Sequence, residues 1–460
     1  MSIVNTSAER IDLVVAAQRE YFASGATLDY EFRREQLLRL QRALKEWQEP
    51  LCKALWEDLH KSEQEAILTE LSIVEGEVRN HLRHLHKWIK RESHSTPLKM
   101  FPSRSYVVSE PLGSSLIIAP WNYPVQLLLN PLVGAISAGC TALLKPSPYV
   151  PRVSQVLEKM ICSTFDERYI YVVQGNREVN QQLLSHCFDV IFFTGSPALG
   201  RKVMEAASRN LTPVVLELGG KSPCVVDAGA DVEMAARRIA WGKTLNAGQT
   251  CIAPDYLLIH SALRERFVEA FKRELRKLHG KDIKKSKHFV RMVSDKAFER
   301  VSSYLECGRV VAGGAVDAAE RYIEPTLLAD VDVDSPVMQE EIFGPVLPMI
   351  PIDSTDDAIR FITSREKPLA LYYFGRESEG WRVVRRTSAG GSCINDTIMH
   401  IANENIPFGG VGNSGMGSYH GRLSFDAFSH RRSVVVTPTW LDLPFRYMPY
   451  KMFGLVKKIL

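Results

Sequence analysis

The alternation of short apolar runs with helix-length segments after Glu110 is the feature that most constrains this 460-residue chain. Buried strands are predicted at Ser115 to Ala119, Thr141 to Lys145 and Asp189 to Thr194, with amphipathic segments between them. Such alternation predicts parallel βαβ units in a doubly wound sheet. A second alternation begins near Pro223. We therefore predict an α/β protein with two doubly wound parallel-sheet domains.

Composition excludes several classes of protein. The net charge of +4, from 57 basic and 53 acidic residues, is too weak to indicate a nucleic-acid-binding protein. The eight cysteines include no pair with the spacing of a zinc ribbon or a thioredoxin-like motif, so we expect no metal site. Scattered cysteines without a recognisable signal peptide indicate a reducing, cytoplasmic location.

Two apolar stretches of the sequence could be mistaken for membrane-spanning segments. The stretch from Pro111 to Leu144 contains no charged residue, but prolines interrupt it, so it predicts buried strands and a helix rather than a membrane span. The tail from Trp440 to Leu460 is apolar and basic, and prolines and lysines break it up. We expect no transmembrane segment, and we expect the tail to contact at most a membrane surface or a partner subunit.

A strand leads into a helix within the segment Asp189 to Gly200. Gly195 is followed by Ser196, a good N-cap residue, and by Pro197, which suits the first helical position. A helix beginning there would present free backbone N–H groups to a phosphate. An ordinary strand-to-helix turn is an equally good interpretation, since the G-x-G-x-x-G dinucleotide fingerprint is absent.

Two charged residues lie at or within predicted strands. Lys145 ends a strand, at the edge where open α/β sheets bind ligands, and a surface charge is the alternative. Glu217 lies inside an apolar run, where a carboxyl group must be neutral, paired or facing a cavity. A raised pKa would suit a general base, and a salt bridge between Glu217 and Lys221 is the alternative.

Cys251 differs from the other seven cysteines because small and polar residues surround it. Its neighbours Ala247, Gly248 and Thr250 leave room for a substrate to reach the sulfur. A thiolate is a strong nucleophile toward a carbonyl carbon when local groups lower its pKa. Asn122, near the end of another predicted strand, is a candidate hydrogen-bond donor to an oxyanion.

Six motifs in consistent order resemble those of the aldehyde dehydrogenase superfamily. They lie at 120–124, 145–147, 193–196, 217–223, 248–251 and 341–345. The segments 407–421 and 428–432 look specifically like class 3, whose members oxidise medium- and long-chain aliphatic and aromatic aldehydes, generally as dimers. The resemblance implies NAD(P)-dependent oxidation of such aldehydes to carboxylic acids by a homodimer.

The resemblance also implies a role for each matching residue. Cys251 would bond to the substrate carbon, Asn122 would stabilise the alkoxide, and Glu217 would activate the water that hydrolyses the thioester. The cofactor, NAD or NADP, would contact Lys145, Ser147, Gly195, Ser196, Gly200, Glu341 and Phe343. Pro148 departs from the family pattern, because NAD-preferring members often have a glutamate there, so we expect NADP to be tolerated.

Domain bounds follow from the same resemblance. They are 1–218 for cofactor binding, 219–425 for catalysis, and 426–460 for an oligomerisation strand and tail, with 97–110 contributing to a small oligomerisation sheet. Three alternatives remain open: an aldehyde dehydrogenase that passes its acyl group to coenzyme A, a non-catalytic binding or structural protein on the same fold, and a thiol hydrolase without cofactor, which the cofactor-side motifs disfavour. Glu217 disfavours the first, because a hydrolytic base would release the acyl group as free acid.

Overall fold

The computed structural model describes residues 3–450 and 453–457, and its N-terminal part is helical. The helices are α1 Ala8–Ala23, α2 Tyr30–Glu46, α3 Gln48–Leu59, α4 Glu63–Ala66 and α5 Ser72–Trp88, with a π-helical turn, Ile67–Leu71, between the last two. In α2, Leu37, Leu40 and Leu44 recur at helical spacing and are buried. Their common face packs into the core, which is why this segment is helical.

Strands alternate with helices through the next part of the chain. In order they are β1 Glu92–His94, β2 Arg104–Pro111, β3 Ser114–Ile118, α6 Gln126–Ala138, β4 Thr141–Lys145, α7 Pro151–Thr164, β5 Ile170–Val172, α8 Arg177–Leu183, β6 Val190–Gly195, α9 Pro197–Ser208 and β7 Val214–Leu218. All five residues of β3 and of β4 are buried. Burial on both faces explains why each strand contains an unbroken apolar run, at 116–118 and at 142–144, instead of alternating with polar residues.

A second set of strands and helices follows. It comprises β8 Pro223–Val226, α10 Val232–Thr244, β9 Tyr256–His260, α11 Arg264–His279, α12 Asp295–Ser303, β10 Arg309–Ala312, β11 Val316–Asp317, β12 Tyr322–Ile323, β13 Thr326–Ala329, α13 Pro336–Gln339, β14 Val346–Ile352, α14 Thr355–Thr363, β15 Ala370–Phe374, α15 Glu377–Arg386, β16 Gly391–Ile394, β17 Gly415–Met416, α16 Arg422–Ala427, β18 Ser429–Val436 and α17 Phe453–Val456.

Two mainly parallel sheets result, and the predicted α/β fold class is confirmed. The first has the order β17-β7-β6-β3-β4-β5, and the second has the order β10-β13-β14-β9-β8-β15-β16. Among the described strands of these two sheets, only β17 and β10 run antiparallel to their neighbours. The sequence analysis did not predict β17, a two-residue strand that joins the late part of the chain to the first sheet.

The strand register of the first sheet gathers the loops that matter at one edge. Ile118 on β3 lies opposite Lys145 on β4, and Gly195 on β6 lies opposite Leu218 on β7. The segments that follow these strands therefore leave the sheet side by side. This carboxyl edge is where open α/β sheets bind ligands.

A separate three-stranded sheet has the order β1-β2-β18. The longer pairing joins β18 to β2, from Ser429 opposite Pro111 to Val436 opposite Arg104. Val435 and Val436, near the end of β18, are about half exposed. Within the described ranges, none of the helices combines the length and apolar character needed to cross a membrane.

Candidate active site

A cavity of about 1240 Å³ is lined by the ends of β6 and β7 and by loops from the second half of the chain. It brings together seven of the residues that the sequence analysis selected. They are Asn122, Gly195, Ser196, Glu217, Cys251, Glu341 and Phe343. Lys145, Ser147 and Gly200 lie outside its wall. The residues selected for chemistry and most of those selected for a cofactor thus share one cleft.

The backbone just before Cys251 has an uncommon conformation. Asn246, Ala247 and Gly248 have consecutive φ values of 52°, 53° and 71°, in the left-handed region. At Gly248 an added Cβ would also lie 2.3 Å from the carbonyl oxygen of Gly344. A turn of this kind persists only where its surroundings fix it, and it is typical of functional sites.

Two amide side chains fix this turn. Gln249 Nε2 donates hydrogen bonds to the carbonyl oxygens of Asn246 and Arg291, both at 3.1 Å. Asn122 Nδ2 donates to the carbonyl oxygen of Gln249 at 3.0 Å, and Asn122 is buried. The turn that carries Cys251 is therefore hydrogen-bonded directly to Asn122. This brings a candidate nucleophile and a candidate oxyanion donor together.

Glu217 is buried on β7, and neither of its carboxyl oxygens has a hydrogen-bond partner among the described residues. Burial raises its pKa well above the ordinary value. The alternative of a salt bridge to Lys221 is wrong. Lys221 instead pairs with Asp255 and donates to the carbonyl oxygens of Val337 and Glu340, both at 2.8 Å. Among the described residues Glu217 therefore presents an unpaired carboxyl group to the cleft, and burial favours its protonated form.

The Cys251 thiol is in surroundings that the sequence analysis did not anticipate. Burial raises its pKa well above the ordinary value, and the carboxyl groups of Glu341 and Glu217 raise it further. The backbone N–H groups of Cys251 and Ile252 offset only part of this. The two backbone donors are thus too weak to lower the pKa below its ordinary value, which is the condition for a reactive thiolate. Because a raised pKa favours the thiol over the thiolate, a base must remove the proton before the sulfur can attack.

Glu341 lies on a loop that a basic side chain holds in place. Arg300 donates to the carbonyl oxygens of Glu341 at 3.2 Å and of Ile342 at 2.8 Å. The Glu341 carboxyl group packs so tightly on Gly219 that an added Cβ there would lie 1.9 Å from Oε2. Burial raises the pKa of Glu341 to about 8, and its Oε1 has no partner among the described residues. This free acceptor oxygen fits a ribose hydroxyl group.

The start of α9 has the predicted form. Ser196 is the N-cap residue and accepts a hydrogen bond from the Leu199 N–H at 3.4 Å, and Pro197 is the first helical residue. An added Cβ at Gly195 would lie 2.6 Å from the ring of Phe193, so a side chain does not fit there. The start of this twelve-residue helix lines the cavity, where its free N–H groups and positive dipole end suit a phosphate.

Three further predicted cofactor residues lie behind or beside the cavity wall. Lys145 is buried at the end of β4, so the alternative of a surface charge is wrong. Its ammonium group donates to the carbonyl oxygen of Pro146 at 2.7 Å, and burial lowers its pKa to about 8. Ser147 is buried next to it, and Gly200 allows α9 to approach Leu218 closely.

Two aromatic residues were not predicted from the sequence: Trp121, which lines the cavity, and Tyr419, which lies outside its wall but near Glu217 and Cys251. The Trp121 ring meets the Phe343 ring edge-to-face, with centroids 5.3 Å apart. Tyr419 is fully buried, and its hydroxyl group has no partner among the described residues. Burial raises its pKa, and the proximity of Glu217 and Cys251 adds to that effect. Trp121 could have been selected because it adjoins Asn122, whereas nothing local to Tyr419 indicates that it approaches Cys251.

Comparison with known proteins gives a consistent result. Residues 1–434 match the model of a family described as the aldehyde dehydrogenase family. The 4,4'-diaponeurosporen-aldehyde dehydrogenase of Staphylococcus aureus is 46% identical over 436 residues, which cover 94% of this chain and 95% of that protein. Human aldehyde dehydrogenase family 3 member B1 is 48% identical over 419 residues, which cover 91% of this chain and 90% of that protein.

A solved structure shows the same similarity in three dimensions. It is described as the substrate-bound state of Staphylococcus aureus AldH. It superimposes with a TM-score of 0.96 at 45% sequence identity, and the match covers 98% of this chain and 99% of that chain.

Proposed function

The chain belongs to the aldehyde dehydrogenase family and oxidises aldehydes with NAD or NADP, and from that premise we propose that Cys251 is the nucleophile, Glu217 the general base and Asn122 the oxyanion donor. One observation carries this proposal. All three residues line the same cavity, and Asn122 is hydrogen-bonded to the turn that precedes Cys251. Cys251 is also the only cysteine lining the cavity within the described part of the chain.

In the first half of the reaction, the sulfur of Cys251 bonds to the aldehyde carbon. The thiol proton leaves to an ionised Glu217 or to water, and the carbonyl oxygen becomes an alkoxide. Asn122 and the Cys251 backbone N–H donate hydrogen bonds to that oxygen, as donors aimed at developing charge do in other acyl-transfer sites. The alkoxide then collapses to a thioester as the aldehyde C–H bond breaks. Bound NAD or NADP supplies the acceptor for that hydrogen and its two electrons.

In the second half, water attacks the thioester carbon. Glu217, which has released to solvent any proton it took from the thiol, takes a proton from the water and passes it to the sulfur as the C–S bond breaks. The acid then leaves, and Cys251 is again a thiol. Glu217 can do this only when ionised, and burial holds its pKa above the ordinary value. A carboxylate with a raised pKa accepts the proton more readily than an ordinary carboxylate.

We assign the cofactor to the side of the cleft formed by β4, β6 and α9. The start of α9 at Ser196 fits the pyrophosphate, and the unpartnered oxygen of Glu341 fits the nicotinamide ribose. Phe343 lines the cavity beside it. Lys145 and Ser147 fit the adenosine ribose, which requires the buried Lys145 ammonium to leave the Pro146 carbonyl.

We assign medium- or long-chain aliphatic or aromatic aldehydes as substrates. The support is the similarity to the human family 3 member and to the enzyme that is named for 4,4'-diaponeurosporen-aldehyde. Apolar groups of Trp121, Leu127 and Phe343 line the cavity and favour an apolar substrate over a small polar one. We also propose that the cofactor-binding domain ends at residue 218 and the catalytic domain at residue 425.

We further propose a cytoplasmic homodimer that uses the three-stranded sheet. Strand β18 lies at the edge of that sheet, and Val435 and Val436 are half exposed on it. An exposed edge strand of this kind presents unpaired N–H and C=O groups to a second copy. Two copies would thereby bury apolar side chains that the single chain leaves in water.

We propose that the tail can also attach the enzyme to a membrane surface. Trp440, Met448 and Phe453 are 72%, 80% and 59% exposed, and Arg446 and Lys457 lie among them. Exposed apolar side chains next to basic ones favour an anionic lipid surface. Residues 451, 452 and 458–460 of the tail lie outside the described residues.

The decisive experiment tests whether a covalent acyl adduct forms on Cys251. In a reaction quenched with acid, we expect mass spectrometry to find an acyl group on the peptide that contains Cys251. Cys251→Ala should lose the adduct and nearly all oxidation while binding NAD almost as tightly as the parent. Cys393→Ala is the matched control, because Cys393 is also half-buried but lies outside the cavity wall. Full turnover of Cys251→Ala, or an adduct only on another cysteine, would refute the proposal.

A further inference from the structure

Lys61 and Glu70 form a fully buried ion pair in the N-terminal helical region, and neither lines the cavity. Lys61 Nζ lies 2.6 Å from Glu70 Oε1, and both side chains have no exposed surface. Removing two charges from water is costly, so a buried pair is weak evidence for a stabilising role by itself. The other contacts of the pair indicate what it does.

Lys61 contacts the segment that carries the proposed oxyanion donor. Its ammonium group donates to the carbonyl oxygen of Asn122 at 3.0 Å and lies 4.2 Å from the centre of the Tyr123 ring. The Tyr123 hydroxyl group is in turn 2.8 Å from the Thr250 hydroxyl group, next to Cys251. One buried cation thus contacts Asn122 directly and the nucleophile turn through one intermediate residue.

Glu70 fixes the other end of the same segment. Its Oε2 accepts hydrogen bonds from the N–H groups of Val125 at 2.8 Å and Gln126 at 3.4 Å. These residues lie at the start of α6. The N-cap residue is Val125, whose apolar side chain cannot accept a hydrogen bond from the helix. A carboxylate from another part of the chain therefore replaces the missing cap.

The Asn122 side chain is oriented as a consequence. Its main-chain oxygen accepts hydrogen bonds from both Lys61 Nζ and Asn246 Nδ2, each at 3.0 Å. One N–H of its side-chain amide is used by the carbonyl oxygen of Gln249. An amide group has two such hydrogens, so the second remains for a substrate oxygen.

The backbone around Glu70 is itself irregular. Glu70 lies in the π-helical turn Ile67–Leu71, whose extra residue per turn rotates the side chains that follow. Such turns are rare and occur frequently at functional sites. Glu65, just before this turn, accepts a hydrogen bond from the Asn246 N–H at 2.8 Å. The helical region therefore contacts both sides of the proposed oxyanion site.

We infer that Lys61 and Glu70 are positioning residues, which hold the Asn122 amide where the alkoxide forms. This inference rests on the proposed function, because it acts through the role assigned to Asn122. Preorganised donors stabilise charge without reorganising during the reaction, and a misplaced donor loses much of that effect. Lys61 and Glu70 touch neither the substrate nor the reacting atoms.

The test is a double-mutant cycle on the rate of the first-turnover burst of reduced cofactor. Lys61→Met should slow the burst by roughly 10- to 100-fold, less than or equal to the effect of Asn122→Ala. In the Asn122→Ala background, Lys61→Met should slow it by less than about twofold, because the group it positions is gone. The KM for NAD should change little in every variant.

Arg33→Met is the matched control. Arg33 is also a buried cation that donates to main-chain carbonyl oxygens, those of Thr27 and Ser137, but it lies at the far end of α6 from Asn122. The Arg33→Met variant should have a lower melting temperature than the parent, and the burst rate of its folded form should be unchanged. If Lys61→Met does not fold, the neutral pair Lys61→Met with Glu70→Gln removes the uncompensated charge and should show the same slow burst.

The possible failures are distinguishable. If Asn122→Ala leaves the burst rate unchanged, the proposed role of Asn122 is wrong and the inference is wrong with it. If Asn122→Ala slows the burst but Lys61→Met does not, or if the two effects multiply in the double variant, the inference alone is wrong. In that case the ion pair serves only the stability of α6.

Discussion

Glu77 and Glu217 are both buried carboxyl groups, and their surroundings shift their pKa values in opposite directions. Burial alone would raise the pKa of Glu77, but hydrogen bonds from His81 and Ser424 lower it to about 2. The Gly421 N–H adds two contacts, at 2.9 and 3.0 Å. Glu217 has no hydrogen-bond partner in the part of the chain that the structure describes, and burial raises its pKa.

The difference separates a structural carboxylate from a reactive one. The region around Glu77 joins α5 to the segment 420–424 with an ionised group whose acceptor capacity is used. In the cleft, Glu217 receives no hydrogen bond from the described residues, so burial alone sets the upward shift of its pKa. Both carboxyl groups are buried, so burial by itself does not identify the active site. The absence of hydrogen-bond partners among the described residues does distinguish Glu217 from Glu77.

The largest expected effect that tests this comparison is on turnover. Glu217→Gln should lower the steady-state rate by roughly 10²- to 10³-fold, because an amide cannot accept the proton from water. The burst of reduced cofactor should remain close to one per active site, followed by slow turnover. Stopped-flow absorbance measures both phases. Normal turnover without a burst would show that Glu217 is not the base for hydrolysis.

Glu77→Gln should instead act on stability. The lowered pKa of Glu77 corresponds to about 3 kcal/mol of stability, present above the unfolded-state pKa near 4.5 and lost as the pH falls toward 2. The variant should therefore have a smaller free energy of unfolding than the parent at pH 7. The difference in free energy of unfolding between the variant and the parent should become smaller as the pH is lowered to about 3.5. The oxidation rate per folded enzyme should change little.

The free energy of unfolding of Glu217→Gln should show the opposite pH dependence. Because its pKa is raised, the Glu217 carboxyl group favours the folded state below pH 4.5, and this contribution is lost as the pH rises toward the folded-state pKa. Relative to the parent, Glu217→Gln should become more stable as the pH rises from 4.5 toward the raised pKa of Glu217. Denaturant titrations of the two variants and the parent would measure these slopes, and slopes of equal sign would contradict the comparison.

The smallest effect concerns a carboxylate that is missing beside Ser147. Without a glutamate at Pro148, the NAD-to-NADP ratio of kcat/KM should stay below several hundred. Pro148→Glu should raise that ratio by about tenfold, since two like charges at close range repel by more than about 1 kcal/mol. Pro148→Gln is the control that changes size without charge. A parent enzyme with a far larger preference for NAD would remove the basis of this prediction.

Much of the fold and part of the site could be predicted from residue order alone. The strands from β3 to β7 are apolar runs separated by helices, and that periodicity is local. The Ser196 cap at the start of α9 and the small residues around Cys251 are also local patterns. The unpaired state of Glu217 could not be derived, because Lys221 is four residues away and only the fold directs it to Asp255 instead.

The sequence by itself determined the two-sheet architecture, the family and the identity of the nucleophile candidate, because these depend on periodicity and on short motifs. Only the tertiary structure decided the electrostatics of the cleft. It brings Tyr419 close to Cys251 and holds Asn122 through Lys61. It also leaves the Glu217 carboxyl group without a hydrogen-bond partner among the described residues. The physical reason is that a pKa depends on burial and on groups within a few ångströms, and most of those groups are distant in the chain.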